Sequence, residues 1–136
     1  MFIFPILSMG EILGLKLDAD FVVLSACNTA AADGRGAEAV SGLGRAFFYA
    51  GARALLVSNW PVHSGATTDL MSRMFKSIAN DNMLTRAEAL RRIKLHQIDQ
   101  GGFKLKGKTA FSYAHPLFWA PFSIVGDGAS VEQPTN

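Results

Sequence analysis

The chain has a single cysteine, Cys27, in 136 residues, so it can form no internal disulfide. That favours a reducing, cytoplasmic setting. Charge is sparse: 18% of residues are Asp, Glu, Lys or Arg, and the net charge is only +2. A balance this small gives no reason to expect a nucleic-acid or membrane partner. One cysteine and three scattered histidines provide no metal-ligand spacing, and no cofactor is expected. Apolar runs are short. Phe2–Leu7 lacks the basic flank of a signal peptide, and no window approaches the roughly 18 residues a membrane helix needs. There are no internal repeats and no composition break. One partial domain over 1–136 is expected, with a frayed polar tail over 128–136.

What is present is a core. Apolar residues make up 49% of the chain. Mean hydropathy is positive, which with so few charges predicts apolar surface that something else covers.

Ser8-Met9-Gly10-Glu11 reads as a capping box opening a short helix to Gly14. Phe21–Ala26 is a continuous, β-branched run, as in a strand buried on both faces. A loop of small residues follows from Asn28 to Gly36. A helix is predicted over 37–50, with Val40, Leu43 and Phe47 on one stripe and Gly51 as its stop. Ala54–Ser58 reads as a second buried strand, and Asn59–His63 as a loop. Ser64 is placed to cap a helix to Asn80, with Ala66, Leu70, Met74 and Ile78 spaced by four. Thr85-Arg86-Ala87-Glu88 is a second capping box, for a helix to Gln97. Lys104–Tyr113 reads as a surface excursion, and Trp119–Val125 as a last strand. This order predicts an α/β fold with a mostly parallel sheet, whose site lies at the C-terminal strand ends. Cys27 and the 59–63 loop both fall there.

A lone cysteine is ordinarily a small buried hydrophobe. Three features point further. Cys27 ends a strand, small residues follow it, and a helix N-terminus lies beyond the same loop, where its dipole favours a thiolate. A phosphatase loop needs Cys-x5-Arg, whereas Arg35 follows Cys27 after seven intervening residues.

Leu24-Ser25-Ala26-Cys27-Asn28-Thr29 resembles the nucleophile motif of CHAT domains, caspase-like cysteine peptidases of the clan that includes caspases and separases. The resemblance continues in order. It runs through Gly42–Phe47, Tyr49–Arg53, Ser58-Asn59-Trp60-Pro61-Val62, Ala87–Leu90 and His115–Phe122 with Val125-Gly126-Asp127. It covers about 11–127. It implies a caspase-like three-layer sandwich, here lacking the N-terminal strands. It implies peptide-bond hydrolysis by a Cys–His dyad with Cys27 as nucleophile. It implies a peptide or protein substrate, with Ser58, Asn59 and Trp60 as substrate-binding candidates. It also implies neighbours such as helical repeats, common beside these domains in bacterial regulatory proteins.

One departure matters. The family's histidine precedes its cysteine, whereas no histidine precedes Cys27 here. A fragment or shortened copy, inactive alone, is the reading this favours. His63 is the one candidate for a substitute base, with a solvent-facing loop histidine as its alternative. His115 reads as structural and His96 as a surface residue. The basic stretch from Arg86 to Lys108 reads as a solvated face, with an acidic docking partner as runner-up. The competing function is a non-catalytic interaction module. Missing strands would leave an open sheet edge, which predicts a homo-oligomer.

Overall fold

The computed structural model describes residues 7–24 and 36–129, the side chains of 36–41 excepted. Helix α1 (Met9–Leu13) begins at the expected box: Ser8 accepts from the Glu11 N–H, and the Glu11 carboxylate accepts from the Ser8 N–H at 2.8 Å. Strand β1 (Val22–Leu24) leads to helix α2 (Gly36–Tyr49), then β2 (Ala54–Ser58). Helices α3 (Ser64–Asn80) and α4 (Arg86–Asp99) follow. A hairpin of β3 (Gly102–Leu105) and β4 (Lys108–Ser112), a helical turn α5 (Pro116–Trp119) and β5 (Phe122–Gly126) complete the order.

The main sheet has the order β1-β2-β5. β1 runs parallel to β2, with Leu24 level with Val57, while β5 runs antiparallel to β2. The expected mostly parallel sheet is therefore a mixed one. The cause lies in the connection. α5 returns the chain to the Ser58 end of β2, so β5 must run back along it. β2 is central and buried at every position, as the run Ala54–Ser58 suggested. β1 is only half-buried, because among the described strands it is an edge.

Alternation along β2 divides the core between two sheet faces. Leu55 and Val57 pack with Ile12, Ala46, Phe47 and Ala50 of the α1–α2 side. Leu56 packs with Leu70, Met74, Leu90, Ile93 and Phe122 on the α3–α4 side. The result is a mixed α/β architecture with helices on both faces of the sheet. Gly51 closes α2 at φ +102°, and a Cβ there would lie 3.0 Å from the Asp18 amide nitrogen, so no larger residue fits the turn.

Five local expectations differ from the structure. The N-cap of α3 is His63 rather than Ser64. The second capping box is half-formed. Thr85 accepts from the Glu88 N–H, but the Glu88 carboxylate turns outward to Arg91 and Arg92, two stronger charged partners. The 104–113 excursion is a paired hairpin, turned by Lys106 and Gly107, both at positive φ. The last strand starts at Phe122, because His115 and Pro116 nucleate a helical turn through Trp119. The basic stretch is not uniformly solvated either. Arg86 is buried, donating to the Ala129 carbonyl, with its guanidinium over the Phe21 ring.

Candidate functional site at the strand ends

The parallel register of β1 and β2 puts Leu24 and Val57 side by side, so both strands leave the sheet at the same end. Cys27, Asn28 and Thr29 lie outside the described residues. What the structure describes is the opposite bank, from Ser58 to His63.

Ser58 is buried at the end of β2. Asn59 clamps the two antiparallel strands. Its backbone N–H and its side-chain amide both donate to the Pro121 carbonyl, each at 2.9 Å, and the amide also reaches Ser123 Oγ at 3.2 Å. The polar part of Asn59 is thus engaged within the fold. Trp60 is exposed at the rim, with Nε1 3.4 Å from the Leu117 carbonyl. That contact leaves its ring as accessible apolar surface beside the strand ends.

His63 has a structural task. Its backbone is extended, and Nδ1 accepts from the Ala66 N–H at 3.4 Å, capping α3. An accepting Nδ1 carries no proton, so in the neutral ring the proton sits on Nε2. A general base needs a free ring lone pair, and in this arrangement neither nitrogen offers one. The ring is also seated among aromatics, edge-on to Phe111 at 5.4 Å, Phe103 at 5.7 Å and Phe118 at 6.0 Å. Tyr113 completes the seat. Its phenol is pushed up by burial and then by the nearby Asp69 charge, and so stays neutral at physiological pH. A Cβ on Gly65 would meet the Tyr113 hydroxyl at 2.9 Å and the His63 ring at 3.0 Å, so a larger residue there would displace these rings.

The aromatic seat escaped the sequence reading. The signal was available: the facing phenylalanines and the two-residue Lys106–Gly107 link mark a hairpin, and Phe103 pairs with Phe111 across it. His115 is a second capping histidine, accepting from the Leu117 N–H at 3.1 Å, as its structural reading suggested. His96 is half-buried on α4 rather than fully at the surface. Among the described residues there is no group of three or more potential metal ligands, and no helix long and apolar enough to cross a membrane.

A mixed α/β fold with helices on both sheet faces, and with two parallel strands ending beside a conspicuous Asn-Trp-Pro loop, defines the class. The chain matches the CHAT domain family over residues 4–127 and belongs to it. It is 28% identical over 132 residues to tetratricopeptide repeat protein 28 of Mus musculus, and 26% identical over 133 residues to the same-named protein of Homo sapiens. Each alignment covers 96% of this chain but 5% of the relative, so the chain spans a small fraction of those proteins' length. No solved structure matches it significantly.

Proposed function

We propose that this chain is the cysteine-bearing part of a caspase-like peptidase site, with Cys27 as nucleophile and a base other than His63. Family membership and the shared exit of β1 and β2 support this reading. Three peptide links of about 3.8 Å separate Cys27 from Leu24. The Cys27 Cα is therefore no more than about 11 Å from the Leu24 Cα, which lies level with Val57, the residue before Ser58. A thiolate there attacks a scissile carbonyl to form a thioester. A histidine protonates the departing amine, and water then releases the acid. Trp60 walls the substrate side, Ser58 and Asn59 shape its floor, and the sheet keeps its caspase-like sandwich. The single observation that carries the choice of base is the Nδ1 contact of His63, which commits that ring to capping α3. The relatives' names add a second element: a helical-repeat domain is the proposed neighbour.

The test uses Cys27 as its own reporter. Iodoacetamide is expected to alkylate Cys27 at a rate that His63→Ala leaves unchanged, and the chain alone is expected to cleave no peptide. A fast rate lost in His63→Ala would overturn the assignment by making His63 the base. A peptidyl acyloxymethyl ketone is expected to label Cys27 faster than the same electrophile without its peptide. Equal rates would favour the second reading, a non-catalytic interaction module, to which the engaged His63 and His115 also lend support.

A further inference from the structure

A groove of about 420 Å³ runs along the outer side of β5, against α4, lined by Leu90, Arg91, Lys94, Phe122 and Ile124 among others. Three observations there converge.

The first concerns the backbone. Asn59 donates to Pro121, and Asp127 to Arg53, so the odd-numbered residues of this strand carry the ladder to β2. Phe122, Ile124 and Gly126 therefore turn their N–H and C=O groups outward. Among the described residues, the N–H and C=O of Ile124 meet no partner. An unpaired row of this kind is a template for a further strand.

The second concerns Lys94. Its ammonium donates to the outward carbonyl of Phe122 at 2.7 Å and lies 6.0 Å from the centre of the Trp119 ring. It forms no ion pair among the described residues, whereas its neighbours Arg91 and Arg92 are both held by Glu88. Burial alone lowers its pKa. An ammonium has three N–H donors, so two are left for an incoming acceptor.

The third concerns composition. Beside the cation, Leu90 and Ile124 supply apolar wall. One side chain of an added strand would meet the cation, and the next on the same face would meet the wall.

From these we infer that the β5 edge is a docking site for an extended peptide segment of a partner protein, added as a strand, with an acidic side chain on Lys94 and an apolar one two residues away. Main-chain pairing with Ile124 supplies affinity, and the Lys94–carboxylate contact supplies choice. The site lies two strands from β1 and is independent of the role of Cys27.

The experiment is a fluorescence-anisotropy titration of the whole chain. The probe is a labelled six-residue peptide, Thr-Glu-Thr-Val-Thr-Val. Binding is expected, about tenfold weaker after Lys94→Met, from the loss of one charge-assisted hydrogen bond. Methionine keeps an apolar stem of similar length, and unchanged circular dichroism certifies the variant's fold. The same peptide with Lys in place of Glu, or with alternate backbone nitrogens methylated, should bind at least tenfold more weakly to the unaltered protein. Equal binding of the acidic and basic peptides, undiminished binding of the methylated one, or no binding at millimolar concentration overturns the inference. So does self-association that blocks the peptide, since the edge would then belong to a second copy.

Discussion

Asn59 donates twice to the carbonyl of Pro121, once from its backbone and once from its side chain, both at 2.9 Å. This double donation ties the first residue after β2 to the residue before β5. It holds the loop bearing Trp60 at the end of the sheet.

Asn59→Ala removes the side-chain bonds to Pro121 and Ser123 but keeps the backbone one. The expected loss is about 1 kcal/mol of stability. Urea denaturation should show a lower midpoint with an unchanged slope.

His63 acts twice, as the cap of α3 and as a ring among aromatics. His63→Ala is expected to cost about 2 kcal/mol, combining a lost cap with lost ring contacts. His63→Asn retains a good capping side chain and should recover about half of that. Thermal unfolding of the three proteins gives the ranking. Equal midpoints for Ala and Asn would show that the cap contributes nothing.

Glu88 is held at about 2, below its ordinary value of 4.5, chiefly by hydrogen bonds from Arg91 and then Arg92. A carboxyl lowered in the folded state stabilises it fully above pH 4.5. That contribution fades as pH falls from 4.5 towards 2. The melting-temperature gap between the wild type and Glu88→Gln should therefore be largest near neutrality and close by pH 2. The pairs are exposed, so the gap should also shrink in high salt.

Gly126 sits at φ +93°, and a Cβ there would lie 2.6 Å from the Arg53 carbonyl oxygen and 2.9 Å from the Phe48 ring. Gly126→Ala meets a backbone atom and an unfavourable conformation together. It is expected to cost at least about 2 kcal/mol, read from chemical denaturation. Gly107, also at positive φ but with open space around it, should lose less on the same substitution.

Much of this architecture is legible along the chain, wherever local chemistry and periodicity agree. The Ser8–Glu11 box, the stop at Gly51, the apolar run 54–58 and the four-residue spacing through Leu70 and Met74 each lead to the element found. The readings that failed turned on competition between partners. Glu88 had a capping task by spacing, but two arginines on its own helix outbid it. Ser64 looked like the cap of α3, yet the residue before it has an imidazole that accepts from the Ala66 amide. The hairpin carries a local mark, Phe103 facing Phe111 across a two-residue link, but its seat against His63 is a contact with a distant residue that no local pattern shows.

Of the candidate site, the sequence alone determined the family and the order of its motifs around Cys27, because a run of residue types in fixed order is a one-dimensional property. It also shows no histidine among the 26 residues of this chain before Cys27. Only the tertiary structure decided that β5 runs against β2, leaving the backbone N–H and C=O of Ile124 turned outward beside Lys94. Only it decided that Asn59 and His63 are engaged within the fold. Strand direction and hydrogen-bond ownership depend on which distant groups packing brings within about 3 Å, and no local pattern carries that information.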